Sequence, residues 1–345
     1  MRERLAVRSG PSWGSGYRGG VPPPTTSHVP PRRRRAPSQP LPVRDGLNAT
    51  RVVLPANGDG GEGSPRWETV LDHLVHRFPD DEPRLREKVA AGEVVDHLGR
   101  PVTAQTPFAQ HARVFLYRDP PVETRVPFEI EILYRDDDLV VVDKPHFLAS
   151  IPRGAFIAES ALVRLRRDLD LPELSPAHRL DRVTAGVLVL TVRPEVRGPY
   201  QTLFAERRVT KVYEAVARVD PALDLPRVVR SRIHKERGVM RAFEVPGEPN
   251  SESLVELVDT REAVAGTLGL YRLTPHTGKT HQLRLHMNSL GLPILHDNFY
   301  PTFYDVRPDD FGRPLQLVSR SIEFVDPLSG EARRFETTRP LQEWS

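Results

Sequence analysis

The run His178-Arg179-Leu180-Asp181-Arg182-Val183-Thr184-Ala185-Gly186-Val187-Leu188-Val189 sets one carboxylate between two arginines and leads straight into an apolar strand from Val187 to Val192. Guanidinium groups beside an Asp favour its charged form. An ionised carboxylate at the mouth of a strand suits nucleophilic or electrostatic work on an anionic substrate. Taken alone, Arg-Leu-Asp-Arg is also what a surface ion-pair ladder looks like. Its company further along the chain decides between the two.

A second chemistry-bearing stretch is Thr274-Pro275-His276-Thr277-Gly278-Lys279-Thr280-His281-Gln282-Leu283-Arg284-Leu285-His286-Met287. On a helix advancing about 100° per residue, Leu283, Met287 and Leu290 share one apolar face, and His281, Arg284 and Asn288 gather on another. Gly291 supplies a stop. A buried aliphatic stripe would hold Arg284 rigidly, as a carboxylate partner or phosphate clamp must be held. Between the two stretches, alternation in Thr210-Lys211-Val212-Tyr213 puts Lys211 and Tyr213 on the same side of a strand. The histidines 276, 281, 286 and 296 do not make a metal site. His281 and His286 would point about 140° apart on a helix, no His-Glu-x-x-His occurs, and no cysteine exists to complete a set.

The elements that position these residues fall into three segments. Residues 1–64, with Pro22-Pro23-Pro24, Arg32-Arg33-Arg34-Arg35 and Gly58-Asp59-Gly60-Gly61, carry no hydrophobic period and are expected to be a disordered tail. Residues 65–121 are expected to form a small α+β module. Val70, Leu71, Leu74 and Val75 recur at helical spacing, Leu85, Val89 and Ala90 suggest a second helix ended by Gly92, and Glu93–Asp96 and Arg113–Tyr117 are strand candidates. The order loosely resembles the S4 RNA-binding module. Residues 122–345 alternate strands and helices: strands at 130–134, 139–142, 209–219, 253–259, 268–274 and 315–324, helices at 159–168 and 195–206. The fold class is therefore α+β, a mixed, largely antiparallel sheet with flanking helices. No strand ends in a glycine-rich phosphate loop.

Composition narrows the chemistry further. The absence of cysteine among 345 residues excludes a thiol nucleophile, a disulfide framework and thiolate metal ligation. Net charge is only +3, yet 44 arginines stand against 5 lysines, a skew that suits phosphate and base contacts and is compatible with an RNA partner. No apolar run reaches the 18 or so residues of a membrane span, and the first residues lack an apolar signal core, so a soluble cytoplasmic protein is expected.

Three separated motifs resemble the RluA-type pseudouridine synthases: His-Arg-Leu-Asp-Arg-x-Thr-Ala-Gly-Val-Leu at 178–188, Lys-x-Tyr at 211–213, and Gly-Lys-Thr-His-Gln-Leu-Arg-x-His at 278–286 followed by Gly-Leu-Pro-Ile-Leu at 291–295. Asp143-Lys144-Pro145 also matches that family's entry to its catalytic domain. The resemblance spans roughly residues 128–340 in the family's order. It implies a mixed sheet flanked by helices with a central cleft, and conversion of uridine to pseudouridine in ribosomal RNA or tRNA without metal or cofactor. It further implies Asp181 as the nucleophilic aspartate and Arg179 as the residue that replaces the flipped base. Tyr213 would be the pocket tyrosine that stacks on uracil and can handle the C5 proton. Arg284 would be the basic partner of the carboxylate, and Leu283 the apolar residue before it. The remaining motif side chains, His178, Leu180, Lys211 and His281, are expected at the substrate. A monomer is expected.

Two features depart from the pattern. The family's Leu-Gly-Asp is here Leu295-His296-Asp297, and Leu148–Arg153 resembles a subgroup, acting on both ribosomal RNA and tRNA, that usually lacks an N-terminal module. Two rivals remain. A non-catalytic RNA-binding or ribosome-assembly factor leaves Asp181, Tyr213 and Arg284 without a purpose. A glycosidase-like hydrolase needs a second carboxylate, and none lies inside the motifs.

Overall fold

The computed structural model describes residues 39–56, 67–264 and 266–345, which belong to one unit whose smaller and larger regions carry separate apolar clusters. The smaller contains β1 (Thr50–Val53), α1 (Val70–Arg77), α2 (Glu82–Ala90), β2 (Val95–Asp96) and β3 (Arg113–Leu116). Thr69 and Asp72 close a reciprocal capping box that starts α1, a cap of the kind that contributes about 1 kcal/mol. Val70, Leu71 and Leu74 then pack against Leu85 and Val89 of α2 and Val114 and Leu116 of β3. The two expected helices and both later strands are present.

The expected tail over 1–64 is corrected in part. β1 pairs antiparallel with β3 from Thr50↔Leu116 to Val53↔Arg113, giving the sheet order β1-β3-β2, and Val52 and Leu54 are buried in the same core. A composition averaged over 64 residues hides a four-residue strand. The arm before it is also engaged: Gly46, at φ 78°, lies against the Val163 carbonyl, and its own carbonyl accepts from Arg166 Nη1 at 3.2 Å. Residues 1–38 and 57–64 of the expected tail lie outside the described residues.

The larger region comprises β4 (Glu131–Arg135), β5 (Leu139–Lys144), α3 (Ala161–Asp168), β6 (Ser175–Pro176), β7 (Ala185–Thr191), α4 (Pro194–Ala205), β8 (Val209–Arg218), β9 (Arg227–Ser231), β10 (Ile233–His234), β11 (Phe243–Glu244), β12 (Ser251–Arg261), β13 (Leu268–Pro275), α5 (Gln282–Ser289), β14 (Leu317–Val325) and β15 (Ala332–Glu336). The main sheet runs β4-β5-β7-β14-β8-β13-β12-β9, with β15 beside β14 and β6 beside β7. All its pairings are antiparallel except β7 with β14, so the sheet is mixed and largely antiparallel. β6, β9, β10, β11 and β15 are short or polar, which is why periodicity does not reveal them.

β5 and β7 are buried along their whole length, as continuous apolar runs covered on both faces should be. On one face Val140, Val142, Leu188 and Leu190 pack with Leu162 and Leu165 of α3 and Leu283 and Met287 of α5. On the other, Val141, Val187 and Val189 meet Val196, Tyr200 and Leu203 of α4. Among the described residues no helix is long and apolar enough to cross a membrane.

The parallel pairing of β7 with β14 explains a motif glycine. Gly186 adopts φ 109°, and a Cβ there would stand 2.3 Å from the Ser319 carbonyl oxygen and 2.7 Å from its nitrogen. Both contacts are backbone and cannot swing away. Gly186→Ala is expected to cost on the order of 3 kcal/mol, from overpacking and a disfavoured φ together. Urea unfolding measures it, and a loss below about 1 kcal/mol would mean the two strands part easily.

Candidate active site

Asp181 sits in the loop between β6 and β7, and its position is set by the segment that follows β5. Ser150 Oγ donates to the Leu180 carbonyl at 2.8 Å and accepts from the Leu180 N–H at 3.0 Å. His146 Nδ1 donates to Val183 O at 2.7 Å. Lys144, fully buried, donates to the carbonyls of Pro145 (2.9 Å), Leu148 (2.8 Å) and Arg182 (3.4 Å). Burial pushes its ammonium down to about 7, against the opposing pull of the Asp181 charge. Arg182 Nη1 donates to Phe147 O at 3.2 Å, and its guanidinium lies 4.6 Å from the Phe156 ring centre. The family-like Asp143-Lys144-Pro145 is thereby explained: Asp143 anchors Thr337 and Arg339 near the C-terminus, and Lys144 holds the Asp181 loop from below.

The flanking arginines do not act as the sequence suggested. Arg182 is turned to Phe147 and Phe156, and Arg179 is exposed. Among the described residues, the basic side chains within 4 Å of the Asp181 carboxylate are Arg284, whose Nη1 is 3.7 Å from Oδ2, and His281, whose Nε2 is 3.9 Å from it. Adjacency in sequence puts neighbours near the backbone, while the direction of a side chain depends on the loop's fold.

Both groups come from the start of α5. Its apolar stripe is as read, with Leu283 and Met287 in the core. Gln282 fixes the helix start by accepting from Thr277 Oγ1 and Lys279 N and donating to Glu252 O and Ser253 Oγ of β12. His286 bonds the hydroxyls of Ser231 and Ser251, on β9 and β12. His281 is the N-cap rather than a helical residue, at φ 57°. That turn aims Nε2 at Asp181 while Nδ1 meets Tyr300 Oη at 3.0 Å. Burial pulls the His281 pKa down, Asp181 and Asp297 oppose this, and Arg284 and Lys235 add to it.

Arg284 has a closer partner than Asp181. Its Nε and Nη2 bond the two oxygens of Asp297 at 2.7 and 2.5 Å, with both side chains buried. Burial works against the Arg284 charge, but the hydrogen bonds and charge of Asp297, then the charge of Asp181, raise its pKa. Asp297 also accepts from the N–H groups of Phe299 and Tyr300, whose rings the guanidinium faces at 4.9 and 5.5 Å. Asp297 is a site residue that sequence reasoning missed. The signal lay in Leu295-His296-Asp297 itself, since the carboxylate of the family's Leu-Gly-Asp is retained. The departure falls on His296, which takes φ 63°, the conformation that favours glycine, and is steadied by Pro314 O at 3.1 Å and Glu343 at 3.4 Å.

Tyr213 projects from β8 into the apolar cluster that also contains Leu180 and Leu283. Burial pushes its phenol up to about 12; the Ser319 hydroxyl opposes this and the Asp181 charge adds to it. Lys211 Nζ lies beside Gly278, 3.8 Å from where a Cβ would stand. His178 is not gathered around the carboxylate: its Nε2 accepts from Val189 N at 3.1 Å and its ring stacks on Phe204 of α4 at 4.5 Å. The site thus brings together Asp181, Arg284, His281, Asp297 and Tyr213 over a floor of Leu180 and Leu283. It pairs a carboxylate with fixed basic groups beside an apolar wall, which suits charge stabilisation at a sugar and stacking of a flat base.

An RNA pseudouridylate synthase family pattern matches residues 138–289. An "uncharacterized RNA pseudouridine synthase" of Chlorobaculum parvum is 31% identical over 290 residues, covering 75% of this chain and 88% of its own. The "dual-specificity RNA pseudouridine synthase RluA" of Vibrio parahaemolyticus is 32% identical over 206 residues, with 58% and 79% covered. Its Escherichia coli counterpart is 36% identical over 177 residues, with 49% and 76% covered. The three motifs, the sheet that presents them and these relatives agree: the chain belongs to the RluA-type family of RNA pseudouridine synthases.

Proposed function

We propose that this protein isomerises uridine to pseudouridine in ribosomal RNA or tRNA, with Asp181 acting at the target nucleotide's sugar. The observation that carries the reading is the Asp181 carboxylate at 3.7 Å from a buried guanidinium that Asp297 fixes in place. A uridine inside a helix or stacked loop cannot meet that carboxylate until it is extruded, so the base must leave its stack. Arg179, exposed beside the loop, is suited to fill the space it vacates. The apolar cluster that holds Leu180, Leu283 and Tyr213 would wall in the detached uracil, with Lys211 beside Gly278 as a nearby positive charge. The small region before Pro121 is proposed to add RNA contacts, as an S4-like module would.

Carbodiimide mapping of pseudouridine in total RNA, with and without the gene, tests the reading. One or more uridines should lose modification in the deletion strain and regain it with purified protein. Isomerisation leaves RNA mass unchanged, whereas a hydrolase would release uracil. No site that depends on the gene, or released uracil, overturns the assignment.

A further inference from the structure

The hydrogen-bond partners of Tyr300 fix the proton on His281. Tyr300 Oη donates its one hydrogen to the Ala242 carbonyl at 2.7 Å and accepts from the Ala242 N–H at 3.1 Å. The His281 Nδ1 at 3.0 Å must therefore be the donor in its contact with Oη. The neutral ring then carries no hydrogen on Nε2. That bare lone pair faces the Asp181 carboxylate oxygen across 3.9 Å, two acceptors with no donor between them.

Pseudouridine formation must move one proton from C5 of uracil to N1. When C5 bonds to C1′ it lies beside the sugar carbon that Asp181 serves, hence within the neighbourhood of Nε2. The other candidates are poorly suited. Asp181 is engaged at the sugar. Tyr213, to which the family resemblance gives the C5 proton, has its phenol pushed up to about 12 by burial and would first have to lose its own proton. Lys144 is fully buried with its ammonium turned to three backbone carbonyls. Arg284 and Lys235 have no lone pair when charged. His281, its pKa lowered by burial, is neutral and free to accept.

Resting on the function proposed above, we propose that His281 Nε2 is the base that takes the C5 proton. After C5 joins C1′, the C5–H bond breaks, its electron pair returns to the uracil ring, and the proton passes to Nε2. The proton is then delivered to N1, which left the sugar with the electron pair of the old glycosidic bond. Atoms and charge balance, and no further reactant enters.

The test combines His281→Asn, an RNA substrate with deuterium at C5 of the target uridine, and nitrogen-15 spectra of the wild-type imidazole. Asn tolerates the positive φ at this position, so folding should survive. The variant should bind RNA as before but turn over at least about 100-fold more slowly, with a C5 deuterium isotope effect larger than the wild type's. The spectra should show hydrogen on Nδ1 and none on Nε2 in the free enzyme at neutral pH. Turnover within a few-fold of wild type, an unchanged isotope effect, or hydrogen on Nε2 overturns the proposal, and the spectra decide even if the variant fails to fold. A wild-type enzyme that forms no pseudouridine would instead defeat the functional reading, and this proposal with it.

Discussion

Asp181→Asn is expected to abolish pseudouridine formation while leaving the fold and RNA binding intact. The replacement keeps the volume and removes only the carboxylate's charge and one oxygen's acceptor character. Its contacts in the free enzyme are loose, at 3.7 and 3.9 Å on a side chain 32% exposed. Ion pairs of that kind contribute about 1 kcal/mol at most. A nucleophile contributes far more to rate, so turnover and stability should separate cleanly. Melting temperature, RNA affinity and turnover of the purified variant decide the matter. Residual turnover above a few per cent, or a loss explained by unfolding, would remove Asp181 from the centre of the chemistry.

Arg284→Met should also silence the enzyme, but with a second and larger structural effect. It strands Asp297 in a site where the side chain is 1% exposed. Removing one member of a buried pair typically costs about 3–5 kcal/mol, because the partner stays buried without compensation. Adding Asp297→Asn removes that charge while the side-chain oxygen can still accept from Phe299 and Tyr300. The double variant should therefore recover much of the lost stability and none of the lost turnover. Urea unfolding and turnover of both variants, side by side, test this. If the double variant regains activity as well, Arg284 is a scaffold for Asp297 and has no direct bearing on Asp181.

Much of the site was legible because its chemistry is carried by compact motifs. The periodicity of Leu283 and Met287 placed Arg284 on a buried helix, and alternation placed Tyr213 on a strand whose inward side chains meet Leu180 and Leu283. What stayed hidden depends on direction and distance in space. Asp297 lies 13 residues from Arg284 beyond a turn, and no local period links them. His281 looks like one more helical residue until its positive φ turns the ring toward Asp181. Arg182 looks like a partner of Asp181 because it is next to it, yet Phe147 and Phe156 claim its guanidinium. β1 escaped because the apolar run Val52-Val53-Leu54, between Arg51 and Pro55, is too short to announce a strand.

The loop that carries Asp181 is tied to the end of β5 and the segment after it by Ser150 at Leu180, Lys144 and Phe147 at Arg182, and His146 at Val183. So many anchors leave the Asp181 carboxylate little freedom to travel toward a target. The motion needed to bring carboxylate and nucleotide together then falls on the nucleic acid. Uridines already loosened in bulges, hairpin tips or mismatched helices surrender their stacking at the smallest cost, a few kcal/mol or less. Choice of target would in that case be exercised through the pliability of the RNA as much as through contacts to its letters. Stiffening a substrate loop with one added base pair should accordingly slow the enzyme without altering any group that it touches.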